Sequence, residues 1–288
     1  MTRLKVYFDT LPEGCVYKCR WSTQLIKAIK QFGNLLEITG SIETCNIIAC
    51  ISGRYDILYD NNKSIIDNQT IKFIIISFQD SSIEDHGIFY NNNILLVLDH
   101  CKDLTVKNKK ILCALNTQNR FKFNHNVLPI KDREYDVIFF GKITLGGVYQ
   151  QHREELVKSL QSFSIKYPEF KIKFGDTIKY EDYLNYLKNS KILLSPYGFG
   201  VWSLKDYESV CNGTHVVKPD IFYECYPNYY QNMDHYQNDI NNLEKVLLDC
   251  LNNLDEVQIK VDKNRQLYLN YNLKDQIEML EDNIKKHM

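Results

Sequence analysis

The stretch from Ser190 to Asp220, SKILLSPYGFGVWSLKDYESVCNGTHVVKPD, holds residue types whose spacing could do chemistry. The apolar run Ile192–Leu194 reads as a buried strand. It leads into Ser195-Pro196-Tyr197-Gly198-Phe199-Gly200, a turn whose two glycines permit positive φ and close approach of backbone to a ligand. A helix then begins over Trp202–Val210, delimited as Leu204–Asn212 in the strand–helix alternation, with Ser203 available near its start. A glycine loop feeding a helix N-terminus presents free N–H groups and a partial positive charge. That arrangement suits a diphosphate. Glu208 lies one to two turns into the helix, where a carboxylate can accept two hydrogen bonds from a ribose diol. The next strand, Thr214–Val217, ends in the polar Lys218-Pro219-Asp220. By itself G-x-G describes an ordinary βα turn; the glutamate and the second polar strand end shift the balance. Tyr197 and Phe199 are placed either to stack on a base or to pack on a neighbouring loop. His215, inside a strand, reads as a packed core histidine.

These residues need a scaffold, and the hydrophobic pattern supplies one. In the first half, strands are expected at Leu4–Phe8, Leu35–Ile38, Asn46–Ile51, Ile57–Tyr59, Ile71–Phe78, Ile94–Leu98 and Ile111–Leu115, with a helix over Ser22–Phe32. The continuous runs Ile71–Phe78 and Ile94–Leu98 suit central parallel strands buried on both faces. Asn116–Arg133 is polar and aperiodic, the best linker. Beyond it come strand Tyr135–Phe140, a glycine-bearing loop at Gly141–Gly147, helix Gln151–Phe163, strand Phe170–Phe174 and helix Tyr180–Asn189. Helical patterns near Ile240–Leu251 and Asn264–Lys285 close the chain. Strand–helix alternation specifies parallel sheets with helices on both faces. The expected organisation is an α/β chain of two Rossmann-like domains facing a cleft. Residues 1–130 form the first domain and 131–262 the second. A terminal helix, 263–288, packs back on the first.

Composition narrows the classes. At 288 residues the chain is long enough for two cores. Its formal net charge of −1 predicts no nonspecific attraction to nucleic acid or anionic membranes. Nucleic acid is therefore not expected among its partners. No apolar run approaches the roughly 20 residues of a membrane span, and no signal peptide is visible, which predicts a cytoplasmic chain without a transmembrane segment. Nine cysteines are scattered, and Cys15 and Cys19 form a lone C-x3-C with no second pair at zinc spacing, so reduced thiols are expected.

The pattern Ser195, Pro196, Gly198, Gly200, Lys205, Tyr207, Glu208, Gly213, Lys218, Pro219 resembles the donor-binding region of GT-B glycosyltransferases, in particular the exostosin-like type with relatives in large DNA viruses. Phe139-Phe140-Gly141-Lys142 and Arg153 extend the likeness upstream, over about a third of the chain. The resemblance implies transfer of a sugar from a nucleoside-diphosphate sugar to a glycan or glycoside acceptor. UDP is its default nucleotide, and UDP-xylose a refinement through the viral relatives. It implies donor-binding roles for Gly141, Arg153, Ser195, Pro196, Tyr197, Gly198, Gly200, Lys205 and Glu208. Two features depart from the family. Many relatives carry Arg where this chain has Lys205, and lysine cannot grip a phosphate with a planar fork. Retaining members often carry a second glutamate after seven intervening residues, where this chain has Val216; inversion is therefore expected.

No D-x-D triplet occurs, which agrees with a metal-independent site and no cofactor beyond the co-substrate. An inverting transfer needs a general base beside the acceptor hydroxyl. Asp80, after the longest apolar run, is favoured, and relatives often carry an acid there. Asp99 with His100, and Asp85 with His86, compete with it. Two other readings fit the same elements: a nucleotide-sugar epimerase or hydrolase of this architecture, and a non-catalytic binding module.

Overall fold

The computed structural model describes residues 3–9, 25–51, 55–76, 93–99, 101–103, 111–113, 122–144, 146–197, 203–220, 223–225 and 227–288. The chain forms two compact units. Unit 1 comprises Met1–Thr117, Tyr223–Tyr226 and Tyr271–Met288; unit 2 comprises Gln118–Phe222 and Pro227–Asn270.

Unit 1 is built on a parallel sheet of β1 (Leu4–Phe8), β2 (Leu36–Thr39), β3 (Ile47–Ile51), β4 (Lys72–Ile76), β5 (Ile94–Asp99) and β7 (Ile111–Cys113), in the order β2-β1-β3-β4-β5-β7. β6 (Cys101–Asp103) pairs antiparallel with β12 (Tyr223–Cys225), which brings a short return of the chain into this unit. The continuous apolar runs are continuous because both faces are covered. Ile47, Ala49, Ile74 and Ile76 point into one core with Leu25, Ala28 and Ile29 of a helix over 25–32 (α1). The alternate residues Ile48, Cys50, Phe73 and Ile75 point into a second core with α2 (Tyr55–Gln69).

α2 replaces the strand expected at Ile57–Tyr59. The apolar trio is too short to reveal a period. Burial falls instead on Tyr55, Leu58 and Ile66, one helical face, and Ile57 is exposed. The helix kinks at Asn62, whose side chain donates back to the Leu58 carbonyl.

The pattern expected over Asn264–Lys285 is two helices, α7 (Leu254–Asn270) in unit 2 and α8 (Leu273–His287) in unit 1. Asn272 ends the continuity by capping α8, accepting from Lys274 N at 2.7 Å and Asp275 N at 3.1 Å. Ile277, Leu280 and Ile284 then enter the first core of unit 1. The buried Glu281 carboxylate accepts from three successive backbone N–H groups, Asn34 at 2.8 Å, Leu35 at 2.7 Å and Leu36 at 3.0 Å.

Unit 2 has a parallel sheet in the order β13-β11-β10-β8-β9, from β8 (Tyr135–Phe140), β9 (Ile172–Gly175), β10 (Ser190–Leu194), β11 (His215–Pro219) and β13 (Asp234–Tyr236). α3 (Gly147–Lys166), α6 (Leu243–Asn252) and α7 cover one face; Leu156, Leu160, Leu247 and Val261 meet Val137, Phe139, Ile192 and Leu194. α4 (Tyr180–Lys188) covers the other, where Tyr183 and Leu187 meet Ile138, Phe140 and Leu193. α5 (Leu204–Asn212) lies between β10 and β11 in sequence.

The polar stretch read as linker belongs to unit 2 over its last residues. Ile130 is wholly buried in the unit 2 core. Arg133 donates to the Leu128 and Asn212 carbonyls, to Ser190 O at 2.9 Å and to Thr214 Oγ1 at 3.0 Å. Gly213 serves that arginine twice over. It ends α5 in the left-handed region at φ 69°, and a Cβ there would lie 2.9 Å from the guanidinium. Among the described residues no helix is long and apolar enough to cross a membrane.

Glu281→Ala removes a charged acceptor from three backbone donors. It should lower unfolding free energy by roughly 1.5–3 kcal/mol, while the exposed Glu278→Ala changes it by under about 0.5 kcal/mol. Urea denaturation of both variants checks this; equal midpoints would show that the carboxylate does not anchor α8.

Candidate functional site

In unit 2 the sheet order, renumbered within the unit, is 2-1-3-4-5. Chain direction across such a sheet switches between its first and third strands, and ligands collect beyond the carboxyl ends at that switch. Here the switch lies between β8 and β10. A pocket of about 450 Å³, a size suited to a small ligand, opens there.

Three βα connections line it. After β8 come Phe140, Gly141 and Lys142. After β9 come Thr177, Ile178, Tyr180 and Tyr183; after β10 come Leu204, Lys205 and Glu208. Arg153 reaches in from α3. Gly141 lies close to both cations: a Cβ there would lie 2.8 Å from Lys205 Nζ and 3.5 Å from the Arg153 guanidinium. The start of α5 is fixed by Ser203, whose hydroxyl accepts from Lys205 N at 3.3 Å.

Two cations therefore share one corner, and backbone carbonyls hold them. Lys205 Nζ donates to the Phe140 carbonyl. Arg153 donates to Lys142 O and, at 3.1 Å, to Tyr197 O. Among the described residues neither forms an ion pair. Burial pushes the Lys205 ammonium down to about 8, and the Arg153 charge adds to the fall against the opposing Glu208 and Asp206 carboxylates. Burial also lowers Arg153. A corner of positive charge of this kind suits an anion. Glu208 stands apart from it, its carboxylate accepting from Tyr180 Oη at 2.9 Å.

The structure thus gathers Gly141, Arg153, Lys205 and Glu208 at one pocket. Ser195 and Pro196 are buried and do not line it. Ser195 Oγ donates to Asp206 Oδ1 at 2.6 Å, and Asp206 forms a buried ion pair with Lys218. Tyr197 packs: its hydroxyl donates to Asp220 O at 2.6 Å, and its ring centroid lies 5.8 Å from that of His152. Gly198, Phe199, Gly200, Asp80, Asp85, His86 and His100 lie outside the described residues. Asp99 is the last residue of β5.

Sequence reasoning missed Thr177, Ile178, Tyr180 and Tyr183. One signal was present: β9 is the second strand of a parallel unit, so its outgoing loop must open at the same sheet edge.

His215 is buried, and its Nε2 lies 2.7 Å from Asp234 Oδ2. With Cys250 these form the described residues' one close group of potential metal ligands. Lys260 already bridges both Asp234 oxygens, at 2.6 and 2.7 Å. His215 and Asp234 open their strands, so the group sits at the sheet edge opposite the pocket.

No family model matches the sequence, and no curated protein matches it. Solved structures do match in fold. The apo form of the lipopolysaccharide outer core galactosyltransferase WaaB is similar with a TM-score of 0.56 and 9% identity, covering 100% of both chains. An α-glucosyltransferase in complex with UDP-glucose and DNA containing an abasic site is similar with a TM-score of 0.50 and 10% identity, covering 98% of this chain and 99% of that one. TarM is similar with a TM-score of 0.51 and 13% identity, over 83% of this chain and 54% of its own. These are GT-B glycosyltransferases. The chain has their fold, an α/β architecture with two parallel sheets, and UDP and UDP-sugar complexes occur among such neighbours.

One expectation is overturned. Nucleic acid was excluded as a partner on net charge, yet structures similar to this chain hold DNA, one of them a 13-mer with a HMU base. Net charge sums over the whole chain, so it cannot report a local basic surface balanced by acids elsewhere.

Lys205 must be protonated to attract an anion. UDP affinity should therefore fall as pH rises through about 8, approaching about tenfold per pH unit. In Lys205→Met the fall should vanish; calorimetry between about pH 7.5 and 9 checks both. The stability effect has the opposite sign. The folded value lies below the usual 10.5, so the unfolded chain binds the extra proton between these values, and this group makes stability rise with pH across that window.

Proposed function

We propose that this chain is a metal-independent glycosyltransferase that binds a nucleoside-diphosphate sugar, with UDP as its nucleotide, in the unit 2 pocket and transfers the sugar to a hydroxyl of a glycan acceptor. The observation that carries the reading is the pair of cations, Lys205 and Arg153, held by backbone carbonyls beside Gly141 at the switch of a parallel sheet. Carboxylates would cancel those charges; carbonyls orient them and leave them for a diphosphate.

Three pocket residues then have a task. Arg153 and Lys205 neutralise the diphosphate and take up the charge that grows on it as the bond to the sugar C1 breaks. Those two charges supply what a divalent ion would otherwise provide. Glu208 accepts from the ribose diol. The acceptor oxygen attacks C1 while a base removes its proton, and UDP leaves with the bonding pair. Asp80 is the base this reading names, with Asp99 or His100 and Asp85 or His86 as rivals. Val216, where a second glutamate would stand, supports inversion, and the anomeric configuration of the product decides that point. The resemblance of the Ser195–Pro219 pattern to exostosin-like and viral enzymes supports xylose among the sugars to be tried.

The test is calorimetry with UDP, GDP and CMP in the presence of EDTA, followed by turnover of UDP-glucose, UDP-galactose, UDP-N-acetylglucosamine and UDP-xylose with glycan and DNA acceptors. The DNA arm follows from the DNA-bound neighbours. Donor turnover to an epimer or free sugar without acceptor would favour an epimerase or hydrolase. Binding without release of UDP would favour a non-catalytic module.

Glu208→Gln should weaken UDP by roughly 1.5–3 kcal/mol, about 10- to 150-fold. Equal UDP affinity in the folded variant would refute the ribose role.

A further inference from the structure

The short ladder of β6 and β12 takes no part in the pocket, yet its register joins two cysteines. Antiparallel pairing sets Tyr223 opposite Asp103, Glu224 opposite Lys102 and Cys225 opposite Cys101. Cysteines in other described strands stand opposite different residue types, Cys50 opposite Ile75 and Cys113 opposite Asp99. Cys101 and Cys225 are far apart in sequence and share no spacing motif. The fold alone pairs them.

The backbone geometry of such a pair suits a bond. Directly opposed residues of antiparallel strands have Cα atoms about 4.5 or about 5.5 Å apart, according to the hydrogen bonding of the pair. Both values lie within the roughly 4.4–6.8 Å that a disulfide spans. Opposed residues also share one face of the ladder. The middle pair supports this register. Lys102 opposite Glu224 sets unlike charges across the strands, and a slip by one residue would set Cys225 opposite a charged residue instead.

The place of the ladder in the chain gives the bond a consequence. β12 lies in the connection from β11 to β13, two strands of the unit 2 sheet. Tyr223–Tyr226 nevertheless belongs to unit 1, whereas the chain up to Phe222 and from Pro227 belongs to unit 2. Two strands of three residues each are a weak hold by themselves.

We propose that Cys101 and Cys225 form a reversible cross-strand disulfide that fastens the β11–β13 connection to β6. The oxidant is a small disulfide of the glutathione type. One cysteine thiolate attacks it, which forms a mixed disulfide and releases one glutathione thiol. The other cysteine then displaces the second glutathione. The electron pair leaves the two cysteines, and both protons end on the released thiols. Scattered spacing predicts reduced thiols; the pair that register brings together is the exception, closed under oxidising conditions and open under reducing ones.

The experiment incubates the folded full chain with oxidised glutathione, alkylates the remaining thiols in denaturant, and maps disulfides by peptide mass spectrometry without reduction. Linked peptides holding Cys101 and Cys225 are expected, separated by dithiothreitol, with the free and buried Cys45, Cys50, Cys211 and Cys250 recovered as alkylated thiols. Oxidation should raise the melting temperature by about 5 °C or more, because the bond closes a long loop. C101S and C225S should each abolish that shift. The mapping uses the unsubstituted chain, so it stands whether or not the variants fold. Two thiols, or two lasting glutathione adducts, at these positions would overturn the inference. So would linkage of either cysteine to a different one, or a Cys101–Cys225 bond that leaves the melting temperature unchanged.

Discussion

The unit 2 site depends on one buried ion pair, Lys218 with Asp206, in which both side chains are only 1% exposed. Lys218 lies near the end of β11 and Asp206 in the first turn of α5. Ser195, just past β10, donates to the other oxygen of the same carboxylate. The Tyr230 ring covers the ammonium at 4.9 Å. Two strand ends and one helix start are thus bound to a single carboxylate. In a low-dielectric interior, loss of either charge strands the other, which makes the arrangement close to all-or-none. The direction in which α5 presents Lys205 and Glu208 follows from it, because they flank Asp206 in the same helix.

That pair also explains why the pocket's own cations are handled differently. Lys218 is neutralised where it lies, so it is structural charge. Lys205 and Arg153, closer to the pocket, meet carbonyl dipoles instead. A carbonyl orients a cation without cancelling its charge, so the cost of keeping these groups dry is met only in part. The depressed Lys205 value records the shortfall. An arriving dianion would relieve it, which couples ligand binding to proton uptake. A lysine has a consequence at this position: a guanidinium would hold its proton across the whole working range, whereas burial brings this ammonium down to about 8.

The sheets were legible because burial on both faces leaves an unbroken apolar signature. Tyr135–Phe140 could be read to the residue for that reason, whereas the helix after the glycine loop was read both as Trp202–Val210 and as Leu204–Asn212, the second matching α5. Sparse faces were not legible. α2 buries Tyr55, Leu58 and Ile66 among many polar side chains, too few for a period to appear in a short window. The break at Asn272 was hidden because asparagine serves equally in helix interiors, turns and caps in so Asn-rich a chain. Of the residues lining the pocket, Gly141, Arg153, Lys205 and Glu208 were singled out in the sequence, Gly141 and Arg153 through the resemblance of their segment and Glu208 through its place in the helix after the glycine loop. Ser195 has the same kind of spacing but is directed inward to Asp206, and spacing alone does not encode that orientation.

Unit 1 shows the same device used for stability. The N–H groups of Asn34, Leu35 and Leu36 form a concavity of the kind that binds anions at functional sites. Here the protein fills it with its own Glu281, far along the sequence. An internal carboxylate in a nest of donors ties the last helix to the first strands of the unit; in unit 2 the cations Lys205 and Arg153 are held by backbone carbonyls instead. The chemistry of recognition is alike in both places. What separates scaffold from site is whether the chain itself provides the partner. By that measure the Lys205–Arg153 corner differs from the Glu281 nest, since among the described residues its cations meet carbonyls and form no ion pair.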